Sequence, residues 1–403
     1  MDFEKYFSLG GGRIKSSKIR EMMKLIGTPG IISMAGGMPD EQHFPFEQVQ
    51  LIIEAWGPAK RAAALQYGAT GGYPPLLERI GEYVAASGIS MSGQRILPTS
   101  GAQQALQLLT RIFCDPGDSL LVEVPTFIGA VAVFAGYGAE PAGVKMDAEG
   151  LIPGELERKI IELRSSGRTP KFLYTNPTFQ NPSGLTMSQG RRDEIYSVCS
   201  RHDLPIVEDD PYYELYFEGG PADYRSLKAR DRDNRVLRVN TFSKILSPGL
   251  RLGWIIGEPA VLARCEMAKQ GEDACSSSFS QVVAADYLAA GCVAEYTAKM
   301  RAIYREKCRL MLSCLEREMP EGVSWSTPKG GFFIWVSLPA GLESERVLLR
   351  SVENKVAFVT GQPFHVDGGG TNYCRLAYSN SSAEQIEEGI RRLARVIREM
   401  LPG

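Results

Sequence analysis

The sequence predicts an α/β protein: a large domain whose mostly parallel sheet is sandwiched by helices, plus a small α+β domain. Three observations carry this prediction. Short apolar runs alternate with longer helical patterns up to about residue 290. Near residue 292 the pattern changes to one long amphipathic helix followed by two further strands. The length, 403 residues, allows about two to three domains.

Taken in order, residues 1–45 hold only short elements and are expected to form an N-terminal arm and part of the small domain. Residues 46–290 are expected to form the large domain. Its strands are expected at 119–124 (SLLVEV), 171–176 (KFLYTN), 204–210 (LPIVEDD), 235–240 (RVLRVN) and 253–258 (GWIIGE). Helical patterns cover 101–113 and 188–203, the second placing Ile195, Val198 and Cys199 on one face. Strands separated by helices on short connections run parallel and are covered on both faces. Residues 274–291 open on a serine cluster suited to N-capping and continue as a helix. Residues 291–403 are expected to complete the small domain, with the long helix, strands at 331–338 and 374–379, and a last helix from Ser382 to Met400.

Composition excludes several classes of function. Hydrophobic residues make up 44% and charged residues 23%, enough for a large core. Forty-five basic and 47 acidic residues leave a net charge of −2, so neither nucleic acid nor an anionic membrane is an expected partner. No run of about 18 apolar residues suggests a membrane span, and the first residues lack the apolar core of a secretory signal. The eight cysteines are scattered without C-x-x-C spacing, as expected of free thiols in the cytoplasm. The three histidines, His43, His202 and His365, lie far apart, so no metal site is expected. Gly10-Gly11-Gly12 precedes no helix that would form a phosphate loop and reads as a flexible arm, and no G-x-G-x-x-G or P-loop pattern occurs.

The chemistry concentrates in Thr241-Phe242-Ser243-Lys244-Ile245-Leu246-Ser247-Pro248-Gly249-Leu250-Arg251. Lys244 falls just past a predicted strand end, where open α/β sheets place their ligands. Alone, it fits an exposed loop lysine as well as a reactive amine. Other segments invite the same double reading. Ser100-Gly101-Ala102-Gln103 opens a helix whose N-terminal N–H groups can bind phosphate or simply be capped by Ser100. Asn181-Pro182-Ser183-Gly184 is a turn, and Glu208-Asp209-Asp210 is a strand-end acidic cluster.

These segments, in this order, resemble the pyridoxal-phosphate (PLP) aminotransferases of fold type I, class I/II. The likeness spans the chain and is closest to the subgroup of 2-aminoadipate and kynurenine aminotransferases. It also takes in Gln66-Tyr67-Gly68, Val124-Pro125-Thr126-Phe127 and Asn372-Tyr373-Cys374-Arg375. The resemblance implies a seven-stranded, mostly parallel sheet in the large domain. It implies Lys244 as the Schiff-base lysine and proton shuttle. The D-x-x-Y pattern assigns Asp210 to the pyridine nitrogen and Tyr213, with Asn181, to the phenolate oxygen, leaving Asp209 as a helper. The backbone of Ala102 and Gln103, with Thr241, Ser243 and Arg251, is implied for the phosphate, and Phe127 for stacking on the ring. Arg375 is implied for the substrate α-carboxylate, with Asn181 and Gly37 beside the substrate and Arg20, in Ser16-Ser17-Lys18-Ile19-Arg20, facing a distal carboxylate. Tyr67 is implied to cross to a partner subunit, so that a homodimer carries its active sites at the interface.

The implied activity is transfer of an amino group from an aromatic, branched-chain or 2-aminoadipate-type L-amino acid to a 2-oxo acid such as 2-oxoglutarate, by a ping-pong route. A PLP-dependent lyase or decarboxylase fits the same motifs, since one carbanion serves all three outcomes. An aminotransferase-like sensor of a transcription regulator is the third alternative. It would call for an N-terminal DNA-binding module, whereas the aminotransferase pattern here begins within the first 20 residues.

Overall fold

The computed structural model describes residues 1, 3–13 and 30–401. Its elements up to the large sheet are α1 (Leu9–Arg13), β1 (Ile32–Ser33), α2 (Phe46–Glu54), α3 (Pro58–Leu65) and α4 (Pro74–Ala86); Gly10-Gly11-Gly12, read from the sequence as a flexible arm, is the middle of the short helix α1. Then come β2 (Arg95–Thr99), α5 (Ala102–Phe113), β3 (Ser119–Val124), α6 (Ile128–Tyr137), β4 (Glu140–Asp147), β5 (Gly150–Leu151) and α7 (Pro153–Ser165). The chain continues with β6 (Leu173–Thr175), α8 (Gln189–Arg201), β7 (Ile206–Asp209), β8 (Val236–Thr241), β9 (Gly253–Gly257), α9 (Pro259–Gln270) and α10 (Ser278–Ala289).

These strands form one sheet of order β2-β9-β8-β7-β6-β3-β4-β5. β4, β3, β6, β7 and β8 run parallel, and β9 runs against both its neighbours. The sheet has eight members rather than seven because β5, only two residues, folds back on the end of β4. Three strands of this sheet, β2, β4 and the two-residue β5, escaped the sequence reading. β2 contains Pro98, which lacks a backbone N–H, and it lies on the sheet edge where that donor is not needed. β4 carries Pro141 and Gly143 and is mostly polar or half-exposed.

Side chains alternate across the parallel strands, and each face has its own core. Val122, Tyr174, Val207, Leu237 and Val239 pack on one face against α5, α6 and α9. Leu121, Leu173, Ile206 and Val236 pack on the other against α7 and α8. On α8, Ile195, Val198 and Cys199 form the buried face that their spacing predicted, and Ser188 caps the helix by accepting the Arg191 N–H. Ser277 does the same for α10 with Ser280.

The remaining elements are α11 (Cys292–Glu318), β10 (Ser324–Trp325), β11 (Phe333–Ser337), α12 (Ser344–Glu353), β12 (Val356–Ala357), β13 (Val359–Thr360), β14 (Tyr373–Ala377) and α13 (Ala383–Met400). Four of the strands form an antiparallel sheet, β10-β11-β14-β13. The 27 residues of α11 span about 40 Å at the helical rise and pack along α13. α13 begins with a reciprocal cap between Ser382 and Gln385. β1 pairs in parallel with β12, and Met34 bridges Ala357 and Ala377 through its backbone. The segment at Gly36-Gly37 is thereby stitched to the C-terminal part of the chain, facing the ends of β7 and β8. Among the described residues, no helix is long and apolar enough to cross a membrane.

Candidate active site

The carboxyl ends of β7 and β8 and the start of α5 converge on one side of the large sheet. α5 is the base of the site. Its N-cap is Gly101, at φ +83°, and no side chain caps it. Ser100 does not take that role; its hydroxyl donates to Asp273 at 2.8 Å. The first N–H groups of the helix, at Ala102 and Gln103, are left for an anion. Arg251 lies against them: a Cβ at Gly101 would fall 2.8 Å from Nη2, so glycine is required there by space as well as by φ. Arg251 itself holds a left-handed conformation, φ 49° and ψ 51°. Thr241 Oγ1 accepts the Ser243 N–H at 3.1 Å and sits 2.9 Å from Ser243 Oγ. Gln103 Nε2 donates to Gly129 O at 2.9 Å, which ties this helix end to Phe127, the residue preceding α6. The ring of Phe127 folds over Gly129 beside Gln103.

Lys244 is half-buried above this base. Its Nζ donates to Gly37 O at 3.0 Å and lies 5.1 Å from the Phe332 ring and 5.7 Å from that of Tyr212. Burial, with Arg375 and Arg251 adding like charge, lowers its amine to about 8. Gly37 approaches closely, since a Cβ there would meet Phe333 at 2.7 Å. Arg375, on β14 and buried, donates from Nη1 to Asn181 Oδ1 at 2.8 Å and from Nη2 to Ala35 O at 2.6 Å. Its guanidinium stacks 4.3 Å from Phe333 and 5.2 Å from Phe364. Burial lowers it to about 10, which leaves it cationic at neutral pH.

Two assignments made from spacing are corrected by the sidedness of β7. Asp210 points to the face opposite α5, where Arg238 Nη2 donates to its Oδ2 at 3.0 Å among Glu208 and Arg192. Tyr213 lies on that side too, with its ring 5.6 Å from the Arg238 guanidinium. Asp209 has the place on the α5 face, one residue earlier and so on the other side of the strand. Its Oδ2 accepts the Tyr174 hydroxyl at 2.8 Å, while Oδ1 is buried with no partner among the described residues. Burial raises its carboxyl to about 7; the Tyr174 hydrogen bond opposes this, and the charges of Asp210 and Glu123 add to it. Tyr212 is within hydrogen-bonding reach of Asn181 and faces Lys244. The D-x-x-Y pattern fits both Asp209-Tyr212 and Asp210-Tyr213, and the period of two along Ile206–Asp209 is the signal that separates them.

Sequence reasoning also missed Asn176. Its Nδ2 donates to Asp209 O at 2.6 Å and its Oδ1 accepts the Asn181 N–H at 3.0 Å, so it couples two site residues. Tyr67 is 86% exposed on the surface of its own chain. Arg20, with the rest of 16–20, lies outside the described residues.

Residues 35–393 match the family described as aminotransferase class I and II. The chain belongs to the class I and II aminotransferases. The aminotransferase is 41% identical to aromatic-amino-acid aminotransferase 1 of Thermococcus litoralis, over 99% of this chain and 95% of that one. It is 38% identical to the 2-aminoadipate transaminase of Thermus thermophilus, over 100% and 98%. The kynurenine aminotransferase of Pyrococcus horikoshii, solved with pyridoxamine phosphate, superposes with a TM-score of 0.95 at 41% identity, covering 100% of this chain and 99% of that one. The fold is that of the type I PLP enzymes, and the chemistry is PLP-dependent amino-group transfer.

The residues present fit PLP. An uncapped helix start with an arginine suits a phosphate dianion. An unpaired buried carboxylate oxygen suits a cationic ring N–H, and a partly deprotonated lysine suits an aldehyde.

Two predictions follow from this geometry. Asp209→Asn lowers kcat/KM at least about 100-fold. Asp210→Asn instead strands Arg238 and costs about 3–5 kcal/mol in denaturant unfolding, while folded protein keeps most of its turnover. The reverse pattern would restore Asp210 to the site. Lys244 reacts as the free base, so capture of PLP by cofactor-free enzyme accelerates as pH rises toward 8 and levels off above about 8. Stopped-flow absorbance rates that keep climbing to pH 10 would contradict the lowered amine.

Proposed function

We propose that this aminotransferase moves the amino group of an aromatic, branched-chain or 2-aminoadipate-type L-amino acid to a 2-oxo acid, with 2-oxoglutarate as acceptor, by a ping-pong route. The observation that carries the reading is the gathering of Lys244, the unpaired Oδ1 of Asp209 and the uncapped start of α5 at one sheet end. Arg375, held by Asn181 and Ala35 O, presents its guanidinium to the substrate α-carboxylate. The aromatic rings of Phe333 and Phe364 beside it favour a flat or branched apolar side chain. For an acidic side chain, Arg20 is the proposed partner.

When bound, PLP supplies an electron sink for the negative charge left as the substrate Cα loses its proton. Lys244 would hold the cofactor covalently, and its Nζ, when free, would take the proton from the substrate Cα and deliver it to the cofactor's C4′ carbon. Gly37 O holds that nitrogen in place. Asp209 keeps a positive charge on the ring nitrogen favourable, and Tyr212 with Asn181 donates toward the phenolate oxygen. The N–H groups of Ala102 and Gln103, with Thr241, Ser243 and Arg251, hold the phosphate, and Phe127 stacks on the ring.

A homodimer is part of the proposal. Tyr67 and Leu65, 86% and 82% exposed, stand on the surface of their own chain, where a second copy can receive them, with Tyr67 reaching that copy's phosphate site. The eight cysteines are free, which supports a reducing compartment, the cytoplasm.

The test is a panel of L-amino acids incubated with the holoenzyme and 2-oxoglutarate, with glutamate measured. Glutamate forms with aromatic and 2-aminoadipate donors in amounts equal to the 2-oxo acid released. Release of ammonia or CO₂ without glutamate would place the enzyme among the lyases or decarboxylases instead.

A further inference from the structure

Asp209 is fixed twice, by separate devices for its backbone and its side chain. Its backbone is held by pairing with Val239 and by Asn176 Nδ2, which donates to the Asp209 carbonyl at 2.6 Å. Asn176 is itself anchored, because its N–H donates to the buried Glu123 carboxylate at 3.0 Å. Among the described residues the side chain has one partner, the Tyr174 hydroxyl, 2.8 Å from Oδ2. Tyr174 sits on the neighbouring strand β6, fully buried, with its ring edge-on to Phe134 at 5.5 Å. Burial and the nearby Asp209 charge raise its hydroxyl far above the usual tyrosine range, so it stays a donor. A carboxylate locked through one oxygen has its other oxygen aimed in a fixed direction, and donation to the locked oxygen favours the ionised form.

We propose that Tyr174 is a positioning residue of the cofactor site, holding Oδ2 of Asp209 so that the charged Oδ1 meets the ring nitrogen of PLP. The inference rests on the reading of Asp209 as the partner of that nitrogen. Because Asn176 and the β7–β8 pairing hold the backbone without help from Tyr174, its hydroxyl can be removed without moving the strand.

The test uses holoenzyme loaded with PLP labelled with ¹⁵N in the ring, in Tyr174→Phe, Asp209→Asn and the double variant. The phenylalanine keeps the packing on Phe134. The ring-nitrogen NMR shift is followed against pH, and the Kd for PLP is measured by fluorescence titration. In Y174F the ring nitrogen loses its proton about one pH unit or more below wild type, and the Kd for PLP rises about tenfold. In the D209N background, the same substitution changes the Kd little, because the group it acts through is gone. A Y174F protein that is less heat-stable but has an unchanged ¹⁵N profile overturns the proposal. So does an equal loss of PLP affinity with and without Asp209. If D209N itself leaves the ¹⁵N profile of the wild type, Asp209 is not the ring partner, and both this inference and the reading beneath it fall. A D209N effect without a Y174F effect removes only the role of Tyr174.

Discussion

The half-satisfied Asp209 carboxylate is the interaction on which the site depends. A buried carboxyl with one hydrogen bond and one unpaired oxygen is costly, and burial accordingly shifts it toward its neutral form. A cationic N–H placed against Oδ1 reverses that cost. The same logic governs the other groups: Lys244 has lost solvent and faces two arginines, and Arg375 is buried with only neutral acceptors. In the proposed reading, each bears a charge, or a suppressed charge, that a part of the cofactor or substrate would meet. Among the described residues, none of the three is hydrogen-bonded to a group of opposite charge.

The opposite face of the same strands shows the contrast. There Asp210, Glu208, Arg238 and Arg192 bring acids and bases together in the interior, and Leu227 and Lys228 donate backbone N–H groups to Glu208. The residue types are similar, but the charges meet partners of opposite sign within the fold. One residue of offset along β7 separates a structural ion network from a reactive group, because a strand sends successive side chains to opposite faces. The helix start adds the second constraint. Gly101 opens α5 without a side-chain cap and leaves room for Arg251, so phosphate-binding capacity is built from backbone geometry.

Much of this was legible in the sequence. Strongly apolar central strands such as Ser119–Val124 and Gly253–Gly257 stood out, as did α8 with its periodic Ile195, Val198 and Cys199. The edge strand β2 and the outer strand β4 were not legible, because both carry proline and β4 is largely polar. Lys244, Arg251, Asn181 and Arg375 were marked by motif, and the fold brings them close. The choice between Asp209 and Asp210 failed because the motif fits both registers and spacing carries no sidedness until the strand's burial is known. Tyr174 and Asn176 gave no signal, since each looks like an ordinary residue at a strand end. Only their partners across 35 and 33 residues of chain reveal what they hold.

The central claim is that one lysine, at the end of β8 over the start of α5, carries the cofactor. Borohydride reduction of the holoenzyme fixes the phosphopyridoxyl group on the lysine that holds it. Digestion and mass spectrometry then locate it. The account predicts the label on Lys244 and on no other lysine. A label elsewhere, or none on reduced holoenzyme, would contradict it.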